Sequence, residues 1–173
     1  MAAMANTHPS DPLALYIHIP FCETKCPYCD FNTYSGIESL IPNYIAALRK
    51  EIELWGQILD NPAVNTIFFG GGTPSYLSSD YISSLMETIS DSFQLNSAIE
   101  VTLEANPGDL RSNKLTAYLA SRVNRLSIGV QSFDDRLLKI LGRRHSAIEA
   151  INSFKMTMDA GFDNANIDLM YGL

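Results

Sequence analysis

Five short apolar runs, separated by longer stretches with helical periodicity, constrain the fold of this chain more than any other feature. The runs cover residues 13–19, 64–69, 99–104, 125–130 and 165–170. Apolar residues from Ile41 to Leu59 recur at spacings of three and four, which is typical of one face of a helix. Strands that alternate with helices in this way predict an α/β fold with a parallel sheet.

Capping residues mark the ends of several predicted helices. Ser78 and Ser112 are predicted N-caps for the helices after the second and third runs. Ser146 and Glu149 have the spacing of a capping box, and Gly161 is a predicted helix stop. We therefore predict one continuous domain over residues 13–173, after a small, polar tail over residues 1–12 that we expect to be disordered.

Unusual polar or metal-binding residues accompany the end of every predicted strand. They are three cysteines after the first strand, Gly70, Gly71 and Gly72 after the second, Glu104 and Asn106 at the third, Gln131 after the fourth, and Asp168 in the fifth. In parallel α/β folds, ligand sites form at the carboxyl ends of the strands. The sequence therefore predicts one shared site at this edge of the sheet.

The three cysteines of the chain lie close together as Cys22-x3-Cys26-x2-Cys29. This spacing is compatible with an iron–sulfur cluster, a zinc ion or a disulfide. Three thiolates on a four-iron cluster would leave one iron open, as catalytic metal sites do. A zinc site would need a fourth ligand, for which His18 is the nearby candidate. Cys26 and Cys29 alone form a Cys-x-x-Cys redox motif that resembles the glutaredoxin active site.

The glycine run and the two strand carboxylates each have a structural and a functional interpretation. Residues 70–74, Gly-Gly-Gly-Thr-Pro, are neither a Walker loop nor a dinucleotide fingerprint. They form either a tight turn or a place where backbone approaches a ligand. Glu104 and Asp168 lie in apolar strands, where carboxylates need partners. They would pair with Arg125 or Arg143, or they would bind a cationic or hydroxylated cofactor.

The cysteine motif and four further blocks carry a family resemblance. The motif Tyr16-x-His18-Ile19-Pro20-Phe21-Cys22-x3-Cys26-x-Tyr28-Cys29 resembles the signature of radical S-adenosylmethionine proteins. The further blocks, in order, are Gly70-Gly71-Gly72-Thr73-Pro74, Glu104-Ala105-Asn106-Pro107, Gly129-Val130-Gln131-Ser132-Phe133 and Asn166-Ile167-Asp168-Leu169-Met170-Tyr171-Gly172-Leu173. Together they resemble the oxygen-independent coproporphyrinogen oxidase group of that superfamily, over nearly the whole chain from Leu13.

The resemblance implies two cofactors and the residues that hold them. Cys22, Cys26 and Cys29 match the ligands of a [4Fe-4S] cluster, whose open iron would bind S-adenosyl-L-methionine. The residues that match the family's contacts to S-adenosyl-L-methionine are Tyr16, Tyr28, Gly71, Gly72, Thr73, Glu104, Gln131, Arg143 and Asp168. The cluster would also need an electron donor.

The resemblance further implies a TIM-like parallel (β/α) barrel. Because the family continues with more of the barrel and a smaller C-terminal domain, we expect an incomplete barrel, truncated after about the fifth strand.

Phe31 separates two branches of this group. The coproporphyrinogen dehydrogenases have a further cysteine two positions after the third, and here that position is Phe31. The run over residues 26–31 is similar to the haem chaperone branch, whose members bind haem and hand it to an acceptor protein. We expect the chaperone function. Oxidative decarboxylation of coproporphyrinogen III to protoporphyrinogen IX is one alternative, and thiol–disulfide exchange by Cys26 and Cys29 is another.

Charge and composition exclude other classes of partner. The net charge of −7 argues against nucleic acid or an anionic membrane as the main partner. No apolar run is long enough to predict a membrane span. Because Lys25 is the first basic residue, we expect no secretory or mitochondrial leader, and reduced cysteines in the cytoplasm. His8 and His145 are expected to be exposed, and Trp55 to lie in the core.

Overall fold

Five parallel strands form one open sheet in a computed structural model that describes residues 12–173. The strands, in both chain and sheet order, are β1 Leu13–Ile19, β2 Ala63–Gly71, β3 Gln94–Ala105, β4 Arg125–Gln131 and β5 Asn164–Leu169. The helices are α1 Ile41–Ile58, α2 Ser79–Ser92, α3 Ser112–Ala120, α4 Asp135–Ile140 and α5 Ala147–Asp159. Within residues 12–173, β5 does not pair with β1, so the predicted incomplete parallel barrel is confirmed. Apart from Pro12, the predicted disordered tail lies outside the described residues.

Alternation along the strands divides the sheet into a covered face, packed against the helices, and an open face. On the covered face, Ile17, Phe69 and Leu103 are at most 5% exposed and belong to one hydrophobic core. On the open face, the register places Tyr16 beside Phe68. Burial of apolar side chains drives the helices onto the covered face only. The core therefore lies on one side of the sheet, and the other side is left to polar and aromatic groups.

The position of Trp55 corrects the sequence prediction, because this side chain is 41% exposed rather than core. The buried residues of α1 are Ile45, Ile52 and Gly56. At Gly56 the two helices α1 and α2 come so close that a Cβ would lie 2.5 Å from the Ser92 carbonyl oxygen. Since successive helical residues point in different directions, the face that turns Gly56 inward turns Trp55 toward the surface.

His145 is also placed differently from the prediction, since it is 4% exposed rather than on the surface. It lies in the connection between α4 and α5, and its Nε2 is 3.1 Å from the Val130 carbonyl oxygen, which accepts the hydrogen bond. Burial, followed by the charge of Arg143, lowers the pKa of His145 below its usual value. The other histidine expected to be exposed, His8, lies outside the described residues.

Two of the three predicted caps are confirmed. The Ser78 hydroxyl accepts a hydrogen bond from the Asp80 N–H, and Ser146 forms the predicted capping box with Glu149. Ser112 as an N-cap is wrong, because it is the first helical residue of α3 and the cap position is Arg111, whose side chain makes no cap bond. The change from extended to helical backbone thus falls one residue earlier than the serine suggests.

Candidate functional site

The three thiols lie in the segment between β1 and α1, which we call the cysteine loop (residues 20–34). Its base is closed by the Cys22 N–H, which donates to the Tyr34 carbonyl (2.9 Å), and by the Tyr34 N–H, which donates to the Pro20 carbonyl (2.8 Å). A turn at its tip brings the Cys29 N–H to the Cys26 carbonyl (3.0 Å). Cys22 is buried, Cys26 and Cys29 are half-buried, and all three are free thiols. The loop therefore presents three thiols on one closed segment.

The glycines at the end of β2 are required by close packing within the chain. Gly71 has a φ of +110°, and a Cβ there would lie 2.4 Å from the imidazole ring of His18. A Cβ on Gly72 would lie 2.7 Å from the carbonyl oxygens of Ile19 and Phe21. The structural interpretation of the glycine run thus explains the missing side chains. The N–H groups of Gly71 and Gly72 also have partners within the chain, namely Glu104 Oε2 and the Ile19 carbonyl.

One cavity of about 180 Å³ lies at the carboxyl ends of the strands. Its lining includes eleven of the predicted site residues: Cys22, Cys26, Cys29, Tyr28, Gly71, Gly72, Thr73, Glu104, Gln131, Arg143 and Asp168. Ten of these residues come from the five strand ends or the loops directly after them, and Arg143 comes from the connection between α4 and α5. Parallel strands bring such positions to one edge even where the residues are far apart in the chain.

Arg143 connects the cysteine loop to the strand ends. Its Nη1 donates to the Cys26 Sγ (3.4 Å) and to the Tyr28 hydroxyl (3.3 Å). Its Nη2 donates to the Asn106 Oδ1 (3.2 Å) and to the Gly129 carbonyl. Its Nε is buried and has no partner among the described residues, so one donor remains for an acceptor on a ligand.

Glu104 and Asp168 line the cavity without an arginine partner in the described part of the chain, so the ion-pair interpretation of these carboxylates is wrong. Glu104 Oε2 accepts a hydrogen bond from the Gly71 N–H (3.1 Å). Asp168 accepts hydrogen bonds from the Ser127 hydroxyl (2.9 Å) and the Asn166 amide (2.8 Å). Arg125 instead lies 3.7 Å from Glu100. Both site carboxylates therefore keep lone pairs that face the cavity.

Burial perturbs the acidity of two groups that line the site. It raises the pKa of Glu104 above the ordinary carboxyl value, against the opposing hydrogen bond from Gly71. Burial also raises the pKa of Tyr28 to about 12, although the charge of Arg143 opposes this effect. Tyr28 is therefore a neutral hydroxyl at physiological pH, able to donate as well as accept.

Tyr16 is the predicted site residue that does not line the cavity. It is 58% exposed on the open face and stacks on Phe68, with ring centroids 5.9 Å apart. Asn106, Ser127 and Gly129 do line the cavity, although they are not among the predicted cofactor contacts. The alternation of polar and small residues with apolar residues in β4 is the sequence signal that would have identified Ser127 and Gly129.

The residues that are present fit a cluster held by thiolates. Arg143 donates a hydrogen bond to the Cys26 Sγ, and the Thr73 hydroxyl donates one to the Cys22 Sγ (3.4 Å), so two of the three sulfurs have a hydrogen-bond donor beside them. Within residues 12–173, no three side chains of the metal-binding types stand close enough together to hold an ion as they are. The donor set is therefore appropriate in kind and shares one loop and one cavity, although the three sulfurs do not converge on one point.

Comparison with known proteins identifies the family. The model of the radical SAM superfamily matches residues 16–173, so this chain belongs to the radical SAM superfamily, which implies S-adenosylmethionine and a [4Fe-4S] cluster. The chain is similar to the heme chaperone HemW of Escherichia coli, at 42% identity over 164 residues, and to that of Bacillus subtilis, at 43% over 159. These matches cover 94% and 91% of this chain but 43% and 42% of the relatives, so the chain spans less than half of their length.

The fold has a close match among solved structures. The chain is similar to the coproporphyrinogen III oxidase HemN from Escherichia coli, a radical SAM enzyme, with a TM-score of 0.89 and 34% sequence identity. The match covers 96% of this chain and 38% of that protein. The predicted α/β core of the radical SAM type is therefore confirmed. None of the helices within residues 12–173 has the length and hydropathy that crossing a membrane requires.

Proposed function

We propose that this chain forms the cofactor-binding part of a radical SAM haem chaperone, which binds haem and hands it to an acceptor protein. In this proposal Cys22, Cys26 and Cys29 hold a [4Fe-4S] cluster, and S-adenosylmethionine occupies the cavity beside it. The observation that carries the cofactor assignment is the single cavity that collects the three thiols with the predicted contact residues. The similarity to proteins named heme chaperone HemW supports haem as the cargo.

The chain's own residues would prepare the site for both ligands. A four-iron cluster supplies an electron to S-adenosylmethionine, and that chemistry belongs to the cofactors rather than to the protein. Arg143 donates a hydrogen bond to the Cys26 sulfur and offers its unpaired Nε to a carboxylate. Glu104 and Asp168 offer acceptors to cationic and hydroxylated groups, and Gln131 adds an amide at the same edge.

The exposed ring of Phe31 favours the chaperone over the oxidase. It is 71% exposed on the cysteine loop, at the position where the oxidase resemblance would require a further thiol. A phenyl ring cannot ligate a metal, so no fourth thiol of this loop is available.

Oxidative decarboxylation of coproporphyrinogen III is the second candidate function. The TM-score of 0.89 to the HemN oxidase is the observation in its favour. The same fold supports different functions, however, so this likeness weighs less than the identity of the residue at position 31.

Anaerobic reconstitution with iron and sulfide tests the cofactor assignment. The purified protein should develop the EPR signal of a four-iron cluster after chemical reduction, and S-adenosylmethionine should alter that signal because it binds the open iron. Cys22→Ser should abolish the signal. As a matched control, Ser35→Ala, directly after the cysteine loop, should retain it. A protein without any cluster, in which Cys26 and Cys29 form a reversible disulfide that survives Cys22→Ser, would instead establish the thiol–disulfide alternative.

Two assays on the reconstituted protein separate the remaining functions. Haem titration followed by absorbance should show stoichiometric binding, and haem should then transfer to an apo-haemoprotein. Coproporphyrinogen III supplied with S-adenosylmethionine and a reductant should give no protoporphyrinogen IX. Product formation without haem binding would establish the oxidase and refute the chaperone.

A further inference from the structure

The tip of the cysteine loop is held from outside by three consecutive residues, Gly142, Arg143 and Arg144, which we call the latch segment. Two backbone hydrogen bonds close the base of the loop, Lys25 Nζ donates within the loop to the carbonyls of Phe31 (3.3 Å) and Thr33 (3.4 Å), and residues 23–25 are exposed. The latch segment connects α4 to α5, more than a hundred residues further along the chain. Each of its residues meets a different part of the tip (residues 23–29), so a segment that is remote in sequence adds to the contacts that the loop makes with itself.

The first two contacts of the latch segment are steric and polar. Gly142 has a φ of +67°, and a Cβ there would lie 2.8 Å from the Pro27 Cδ, so the Gly142 backbone packs closely on the Pro27 ring. Arg143 follows and donates to Cys26 and Tyr28. These contacts belong to the site described above.

The third contact is an ion pair that is shared between two carboxylates. Arg144 Nη1 pairs with Glu23, and Arg144 Nη2 lies 3.0 Å from the Asp109 Oδ1. The Asp109 side chain is 6% exposed and that of Arg144 is 24% exposed, whereas that of Glu23 is 49% exposed. A nearly buried carboxylate needs its cationic partner, so Asp109 fixes the position of the guanidinium, and the guanidinium in turn fixes Glu23.

Asp109 is itself tied to the segment that follows the glycines of β2. Its Oδ2 accepts a hydrogen bond from the Ser75 hydroxyl (3.0 Å), and the Ser75 Oγ accepts one from the Asn106 N–H (3.0 Å). Ser75 lies two residues after Thr73, whose hydroxyl donates to the Cys22 Sγ. This series of hydrogen bonds therefore leads from Asp109 back to the cysteine loop. Arg144, in the connection between α4 and α5, is therefore linked to the segments that follow β1, β2 and β3.

We propose that Arg144 is a positioning residue that holds the tip of the cysteine loop over the cavity by pairing with Glu23 and Asp109 at once. The planar guanidinium suits this role, since its two terminal nitrogens point to two different carboxylates, which an ammonium group cannot match with the same geometry. The two adjacent arginines have different partners, because Arg143 contacts a thiol and Arg144 contacts two carboxylates. The consequence for cluster assembly rests on the proposed function, but the position of the loop does not.

Thiol alkylation of the metal-free protein tests this proposal directly. Cys22 is 9% exposed and directly precedes Glu23, so it should react with iodoacetamide mainly when the tip of the loop opens. Labelling of each cysteine is followed by mass spectrometry under anaerobic, reducing conditions. Arg144→Gln should raise the rate at Cys22 relative to Cys29 by roughly fivefold, the scale of a partly exposed ion pair.

Three further variants control this result. Arg136→Gln removes the same charge from an exposed position of α4 and should leave the labelling ratio unchanged. Glu23→Gln should also raise the ratio, and the double variant with Arg144→Gln should exceed neither single variant by much, because both remove one interaction. Arg144→Lys should restore only part of the protection.

Each outcome decides the proposal. An unchanged ratio in Arg144→Gln and in Glu23→Gln overturns it. If Arg144→Gln accelerates all three cysteines equally, this variant acts through unfolding, and Glu23→Gln, at a more exposed site, becomes the deciding measurement. Failure of the wild-type protein to assemble a cluster would refute the proposed function alone, since the labelling is measured without metal.

Discussion

The covered and open faces of the sheet are built from the same strands and have opposite characters. On β2, Phe69 is fully buried against the helices, while its neighbour Phe68 lies on the open face under Tyr16. On β3, Leu103 is fully buried, while its neighbour Glu104 lines the cavity. One residue along a strand is enough to change the environment because side chains alternate between faces. Residues that stabilise the core and residues that line the candidate site are therefore distinguished by the face to which their side chains point, and not by their position in the chain.

The largest effect should follow from truncation on the covered face. Phe69→Ala should lower the free energy of unfolding by about 3–5 kcal/mol, because it leaves a cavity in a fully packed core. Phe68→Ala, one residue away on the open face, should cost less than about 1.5 kcal/mol, since it loses mainly an aromatic contact. Urea unfolding measures both variants. Equal losses would show that the two faces contribute alike to stability.

An intermediate effect should come from the latch segment, at the edge where the site lies. Gly142→Ala should lower the free energy of unfolding by about 1–2 kcal/mol, because alanine is disfavoured at its positive φ and its Cβ would press on Pro27. Gly108→Ala is the matched control, since a Cβ there meets nothing within 4 Å and should change stability by less than about 0.5 kcal/mol. Identical stabilities would contradict the tight fit of the segment on the cysteine loop.

A smaller effect should distinguish a capping serine from one that only resembles a cap. Ser146→Ala should lower the free energy of unfolding by about 1 kcal/mol, because it removes the capping box of α5. Ser112→Ala should be nearly neutral, because its side chain makes no cap bond to α3. Thermal unfolding of the two variants gives the comparison. If Ser112→Ala lowers the free energy of unfolding as much as Ser146→Ala does, Ser112 caps α3 as the sequence predicted.

The smallest effect should be a pH dependence that arises from the open face. Burial raises the pKa of Glu104 above its usual value of 4.5, so its contribution to stability is present below that value. The contribution is lost as pH rises through the raised pKa of the folded state. The free energy of unfolding of Glu104→Gln, relative to wild type, should therefore increase as pH rises from below 4.5 through the raised pKa. A difference that does not change with pH would mean that Glu104 titrates alike in the folded and unfolded states.

The sequence by itself determined the elements of this protein and the edge at which its unusual residues meet. The first strand was predicted with the bounds that the structure has, Leu13–Ile19, and the capping box at Ser146 was predicted from spacing alone. Such features are local, because a helix face or a cap depends on residues within a few positions. The meeting of the three thiols with Glu104, Gln131 and Asp168 followed from one further rule, that parallel strands end at a common edge.

Only the tertiary structure decided which neighbouring residue takes which role. Arg143 reaches Cys26 and Arg144 reaches Glu23, and neither of these partners was predicted from the sequence. His145 is buried and Trp55 is exposed, against their predicted positions, because the packing of a connecting segment and the close approach of two helices set their environments. These outcomes depend on contacts between residues far apart in the chain, which no local pattern records. The physical reason is that side-chain partners are chosen by how the loops pack on one another after the strands have aligned.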